Sequence, residues 1–249
     1  MRDRPARSAR FYVPNQLREG ARLDLPHEAA HHAARVLRLR EGDEIVLFDG
    51  RGGEHLARID AIERSRVAVS VGAHRAVERE STLEVTLVQG VSSGERMDVT
   101  VQKAVELGVH AIQPVLAEKS VVRLDAERAA AKREHRRRIA IAACEQCGRN
   151  RIAEVRAVLS LADYCRAADT KALRLLLSPQ DGVRLRDALA RCENGIVLAV
   201  GPEAGFSAGE EALLGAAGFS RVQLGPRVLR TETAASAALA AIAALAGDF

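Results

Sequence analysis

The sequence predicts an α/β protein in which a small β-barrel with one helix precedes a larger domain built on a mostly parallel sheet. Three observations carry that expectation. Up to about Val77, apolar and polar residues alternate over short runs, the period of half-buried strands. From Leu83 onward, compact apolar runs alternate with helical stretches, the pattern of βα units on a parallel sheet. Between the two regimes lies a polar, charged stretch from Gly72 to Ser81 (GAHRAVERES). The expected domains are therefore 1–76 and 77–249.

In the first region Phe11 to Val13 and Arg22 to Leu25 are short strand candidates, and Asp43 to Phe48 is a longer one. It runs into the turn cluster Asp49-Gly50-Arg51-Gly52-Gly53, after which Glu54 to Ala61 and Arg66 to Val71 alternate as strands do. One helix is expected from His27 to Leu39, begun by Pro26 and ended near Gly42. In the second region the strands are Leu83 to Gln89, Val109 to Val115, Ala172 to Leu177, Gly195 to Val200 and Arg221 to Leu224. The helices are Glu95 to Leu107, closed by Gly108, then the arginine-studded Glu127 to Cys147, and a final small-residue helix from Thr233 to Leu245.

Composition narrows the function classes. Hydrophobic residues make up 47% of the 249 and charged ones 28%, a balance that excludes wholesale disorder. No apolar run reaches the ~18–20 residues that cross a bilayer; Ala234 to Ala246 comes nearest and falls short. The charged N-terminus lacks a following apolar segment, and the four cysteines have no framework spacing, so a reducing cytoplasm is expected. Of the 37 Lys and Arg only Lys103, Lys119, Lys132 and Lys171 are lysines. The formal net charge is +4, but the basic excess gathers in residues 1–40 and 123–156, which favours an anionic partner, RNA or DNA first. Aromatics at 3% argue against a base-stacking platform.

Two motifs stand at strand ends. Ile196 to Phe206 (IVLAVGPEAGF) runs a buried strand into a glycine turn, with Ser207 and Glu210 spaced as a capping box for the next helix. Glycine turns at the carboxyl ends of parallel strands are where open α/β sheets bind ligands. The turn is neither a dinucleotide fingerprint nor a phosphate-binding P-loop, whose glycine spacings differ. Leu224 to Ala234 (LGPRVLRTETA) follows a strand with a Gly-Pro turn and opens an alanine-rich helix. Thr231 or Thr233 can cap that helix and Glu232 suits its positive end, yet capping does not require Arg227 and Arg230 beside them.

GPEAGF followed about twenty residues later by LGPRVLRTETA resembles the C-terminal signature of the SPOUT methyltransferases, and within them the RsmE family of 16S ribosomal RNA uridine-N3 methyltransferases. Further segments resemble that family in order: Arg10 to Val13, His32 to Leu39 with Gly42-Asp43, Phe48-Asp49-Gly50, Gln102 to Val109, and Glu145 to Arg149. The departures are Ala204 where the family has a second glycine, Cys147 for Ser, Val105 for Thr, and Ser93 near a usual Lys.

The resemblance implies a C-terminal SPOUT domain with a trefoil knot, a small N-terminal PUA-like β-barrel that binds RNA, and a homodimer sharing its active sites. It also implies S-adenosylmethionine held mainly by backbone groups. On this sequence the cofactor loops fall at Leu177; at Val200, Gly201, Pro202, Glu203 and Gly205; and at Leu224, Gly225, Arg227, Leu229, Arg230, Thr233 and Ala234. The partner implied is 16S rRNA or the small ribosomal subunit.

Methyl transfer from a sulfonium needs positioning more than a metal, but uridine N3 holds a proton that must leave. Arg10 and Arg230 are the candidate cations for the developing uracil anion. Glu232 reads as the proton acceptor or as an orienting partner for one of those arginines, and equally as a helix-terminal acid. For Glu203, support of the turn is favoured over facing the base. For RNA contact the candidates are Arg10, His32, Arg35, Arg38 and Arg149. His27 and His31 stand four apart but lack a third ligand, and Cys144-x-x-Cys147 lies on a helix, so no metal is expected. The rival readings are a SPOUT enzyme acting on another base or ribose, and a non-catalytic RNA-binding assembly factor.

Overall fold

The computed structural model describes residues 8–64, 66–120, 125–167, 171–190, 192–246 and 248–249. Residues 1–7 of the basic N-terminal stretch, and Arg123 of the second basic stretch, lie outside them. The chain forms two compact units, one comprising Met1–Glu80 with Cys144–Ile152 and the other Ser81–Ala143 with Ala153–Phe249.

Among the described residues the first unit holds five strands: β1 (Arg10–Tyr12), β2 (Arg22–Asp24), β3 (Glu44–Phe48), β4 (Glu54–Glu63) and β5 (Arg66–Arg75). They join in the order β1-β3-β4-β5-β2. The β1–β3 pair is parallel and the others are antiparallel. Alternation places Ala57 and Ile59 of β4 and Val67, Val69 and Val71 of β5 in one core with Phe11, Ile45 and Leu47. The helix expected over His27 to Leu39 is shorter and different. An α-helical turn, α1 (His27–His31), passes into a π-helical turn over His32–Val36, where the Leu37 amide donates to the His32 carbonyl at 2.9 Å. Arg38 then turns the chain with a φ of 54°, so the segment stops well before Gly42.

The second unit is an eight-stranded parallel sheet. In chain order its elements begin with β6 (Val85–Gly90), α2 (Gly94–Glu106) and β7 (Ala111–Leu116). Next come α3 (Ala126–Cys147), whose last residues belong to the first unit, β8 (Glu154–Val155), β9 (Leu159–Ser160) and α4 (Leu161–Ala167). The chain continues through β10 (Leu173–Leu177), β11 (Val183–Arg184), α5 (Leu185–Leu189) and β12 (Ile196–Val200). It ends with α6 (Ala208–Ala216), β13 (Ser220–Gln223) and α7 (Thr231–Ala246). The strand order is β11-β13-β10-β12-β6-β7-β8, with β9 beside β7.

Burial on both faces explains why these strands read as continuous apolar runs. One face packs Val88, Leu176 and Ala199 against Leu161, Leu214 and Phe219. On α2 the buried side is Met97, Val101, Ala104 and Val105, and α2 packs against α7. Alanines at 235 and 238 let α7 approach closely, with Leu239 and Ile242 filling the remaining space. In register, Leu176 of β10 lies beside Ala199 of β12, and Val200 beside Gln89 of β6. The carboxyl ends of three neighbouring strands therefore finish at one level.

Candidate active site

The turn after β12 is closed by a hydrogen bond from the Gly205 amide to the Pro202 carbonyl, 2.9 Å. A Cβ on Gly201 would stand 3.1 Å from Gly205 Cα and 3.2 Å from the Phe206 nitrogen, so the turn is tight against itself there. Ala204 is not among the residues of positive φ; Arg38 is the one non-glycine found there among the described residues. The family's second glycine is therefore replaced without backbone strain.

Ser207 and Glu210 form the expected capping box: Glu210 N donates to Ser207 Oγ at 3.2 Å, and Ser207 N donates to Glu210 Oε2 at 2.8 Å. The other Glu210 oxygen accepts the Glu118 amide at 2.8 Å, tying the loop after β7 to the start of α6. Glu203 supports the turn from outside. Its Oε1 accepts from the amide and the hydroxyl of Ser93, both at 2.9 Å, and lies 3.3 Å from Arg96 Nη1. Partial burial pushes the Glu203 carboxyl up, but Ser93 and Arg96 outweigh it and leave it below the usual carboxylate range.

Three loops at the carboxyl ends of β10, β12 and β13 enclose a cavity of about 650 Å³. From the first comes Leu177, and the Ser178 amide donates to the Val222 carbonyl at 3.0 Å, fixing that loop to β13. The second supplies Val200, Gly201, Pro202, Glu203 and Gly205. The third supplies Leu224, Gly225, Arg227, Leu229 and Arg230, with Ala234 from α7. Gly225 has a φ of 140° and nothing within 4 Å of where a Cβ would stand, so its backbone faces open space. Of the proposed cofactor residues, Thr233 does not line the cavity; it is exposed on α7.

The sequence reading did not single out Arg96, Lys119 or Gln180, which line the same space. Nor did it find the buried amide of Gln89. Gln89 Nε2 donates to Thr231 Oγ1 at 3.0 Å and lies 3.4 Å from the Gly201 carbonyl, to which Thr231 Oγ1 donates at 2.6 Å. Neither threonine caps α7 as expected. Thr231 spends its hydroxyl on the glycine turn, and Thr233 sits inside the helix. Gln89 is fully buried at the end of β6, a placement that residue type alone does not signal.

Arg230 is exposed and lines the cavity. Glu232, two residues on, does not line it, and its Oε2 is buried with no hydrogen-bond partner among the described residues.

Arg10 and Arg149 belong to the first unit. Arg10 Nη1 lies 2.6 Å from Glu54 Oε2, and Nη2 donates to Asn150 Oδ1 at 2.6 Å. Burial raises the Glu54 carboxyl, while Arg10 and Arg79 pull it down, with a net shift below the usual range. Arg149 is buried and pairs with Glu80. His32, Arg35 and Arg38 are exposed on and after the π-helical turn, and the His32 ring stands edge-on to Phe11.

Comparison with known proteins bears on this architecture. Residues 79–243 match the family described as an RNA methyltransferase domain, and residues 25–72 match the RNA methyltransferase PUA domain. The ribosomal RNA small subunit methyltransferase E of Bacillus subtilis is 31% identical over 239 residues, 91% of each chain. The chain belongs to the ribosomal RNA small subunit methyltransferase E family. Two solved structures of 40% identity cover 96% of this family member and 98% of their own chains. One is a Legionella pneumophila methyltransferase in complex with bound cofactor SAM, at a TM-score of 0.91. The other is the Neisseria gonorrhoeae ribosomal RNA small subunit methyltransferase E bound to S-adenosyl methionine, at 0.88. The fold is accordingly that of a SPOUT methyltransferase with an N-terminal PUA-like domain.

Proposed function

We propose that this family member methylates N3 of a uridine in the 16S rRNA of the small ribosomal subunit, with S-adenosylmethionine as donor. The observation that carries the reading is the cavity of about 650 Å³ at the carboxyl ends of β10, β12 and β13, in a chain whose relatives at 40% identity hold that cofactor. The residues present fit it. Backbone of Gly201 and Gly225 is free of side chains, and Leu177, Val200, Leu224, Leu229 and Ala234 offer apolar walls.

When bound, the cofactor supplies an electrophilic methyl group on a sulfonium. The chain must then remove the N3 proton and stabilise the charge left on uracil. Arg230, exposed on the cavity wall, is assigned to the charge developing on the uracil oxygens. Glu232 is assigned to the proton for its place at the start of α7 two residues after Arg230; it does not itself line the cavity, and its Oε2 has no hydrogen-bond partner among the described residues. For Arg10 the geometry favours support of the first unit through Glu54 and Asn150, and for Arg149 support through Glu80. His32, Arg35 and Arg38, all exposed, are assigned to RNA phosphates.

The same reading includes a trefoil knot around the cofactor loops, a homodimer and action in the cytoplasm beside the ribosome. Exposed Val99 on α2 and Leu245 on α7 support a second copy seated on these helices. Nucleoside analysis of 16S rRNA from cells lacking the protein tests the target: 3-methyluridine should disappear, and its persistence would overturn the assignment.

A further inference from the structure

The charges lining the cavity do not balance against its proposed cofactor. S-adenosylmethionine carries a sulfonium and an ammonium against a single carboxylate, so it is a net cation at neutral pH. Backbone carbonyls can meet its two positive groups, and its single carboxylate calls for no more than one cation. Among the described residues, the two acids on its wall, Glu203 and Glu211, are already committed: Glu203 to Arg96 at 3.3 Å and Glu211 to Arg221 at 2.6 Å. Lys119, Arg227 and Arg230 line the same space, all exposed and without an ion pair among the described residues. Uncompensated cations around one cavity mark the place of an anion. Arg227 and Arg230 come from the loop that also carries Gly225. Lys119 comes from elsewhere, the turn after β7.

That turn is held rigidly. Ser120 N donates to the Ala117 carbonyl at 2.9 Å, and the Ala117 amide donates back to Ser120 Oγ at 3.1 Å. Ser120 Oγ also reaches the Val91 carbonyl at 3.4 Å, while the neighbouring Glu118 amide is fixed on buried Glu210 at 2.8 Å. A lysine carried on so constrained a turn springs from a fixed base at the cavity, and its exposed, flexible stem carries the charge from there.

We propose that Lys119 binds a backbone phosphate of the target nucleotide, so that the cavity is a composite of a cofactor site and an anionic subsite. This rests on the RNA methyl-transfer reading above and extends it to a residue outside the three cofactor loops. A lysine suits the role as a compact point charge that need not match a planar partner.

The test uses the full-length protein as wild type, Lys119→Ala and Lys119→Arg, with Arg186→Ala on the exposed face of α5, outside both basic stretches, as a surface control. Three quantities are read: affinity for small-subunit rRNA as a function of potassium chloride, kcat/KM for methylation of that RNA, and cofactor affinity by calorimetry. Lys119→Ala should weaken RNA affinity and kcat/KM by about tenfold, as loss of one charge-assisted contact does. It should flatten the slope of log affinity against log salt by about 0.7–1. Cofactor affinity should stay within about twofold, and Lys119→Arg should restore most of the loss. An unchanged salt slope, an equal loss of cofactor affinity, or the same effect from Arg186→Ala would each overturn the proposal. If the wild type binds rRNA but transfers no methyl to it, the methyl-transfer reading fails while the affinity and salt measurements still decide the role of Lys119.

Discussion

The hydroxyl of Thr231 donates to the carbonyl of Gly201 at 2.6 Å, joining the first turn of α7 to the glycine turn after β12. Because Gln89 donates to the same hydroxyl, Thr231 acts as both acceptor and donor in a buried setting. Replacing it with valine keeps the volume but leaves Gln89 and Gly201 short of a partner, at a cost of about 1–3 kcal/mol. Thr231→Val should therefore lower stability in urea and weaken cofactor binding, while Thr231→Ser should retain both. Calorimetry showing equal cofactor affinity in the two variants would separate this contact from the site.

Arg10 and Glu54 should govern acid sensitivity of the first unit. Glu54 is held below its usual pKa in the folded chain, so its contribution is present above about pH 4.5 and is lost as pH falls through the folded value. Removing Arg10 takes the nearest cation from the buried carboxylate but leaves Arg79 at 3.3 Å, so the loss falls below the roughly 3–5 kcal/mol of a fully unpaired buried charge. Arg10→Met should thus lower Tm most near pH 7 and least near pH 3. Thermal scans across that range would refute the idea if the deficit were the same at both ends.

Glu145 behaves in the opposite sense. Burial raises its carboxyl despite the Tyr12 amide donating to Oε1 at 2.9 Å. A raised folded pKa means that stability is fullest below the unfolded value and falls as pH rises through the folded one. Glu145→Gln keeps the acceptor and removes the ionisation. Its Tm should exceed that of the wild type at pH 8 and match it near pH 4, a comparison that differential scanning calorimetry makes directly.

Gly201 and Gly225 should fail for different reasons. At Gly201 a side chain meets backbone atoms at 3.1 and 3.2 Å, so Gly201→Val should distort the turn and lower Tm as well as cofactor affinity. At Gly225 a side chain meets nothing but must adopt a φ of 140°, at a cost of about 1–3 kcal/mol, and would project into the space proposed for the cofactor. Gly225→Val should lose cofactor binding with a smaller fall in Tm. Equal binding in wild type and Gly225→Val would remove this loop from the cofactor site.

The elements most legible in the sequence were those with enough residues to show a period. β4, β5 and α2 run for 10, 10 and 13 residues and followed their patterns, whereas β8, β9 and β11 have two residues each and carried no periodic signal. The π-helical turn at His32 escaped for a different reason: its extra residue per turn leaves composition unchanged and shows only in the hydrogen bonds. The glycine turns were visible because backbone freedom is written in residue type. The contacts of Thr231 and the cavity positions of Lys119 and Arg96 were not, since they depend on strands brought together from distant parts of the chain.

The walls of the cavity come from β10, β12 and β13, whose carboxyl ends lie at residues 177, 200 and 223. A ligand that touches all three loops can be held only by a chain that has completed its sheet. Bound at a hundred times its dissociation constant, such a ligand adds about 2.7 kcal/mol to the finished fold and nothing to any partly assembled form. The cofactor would then serve as a quality check on assembly, favouring properly completed molecules in proportion to the metabolic supply of methyl donor.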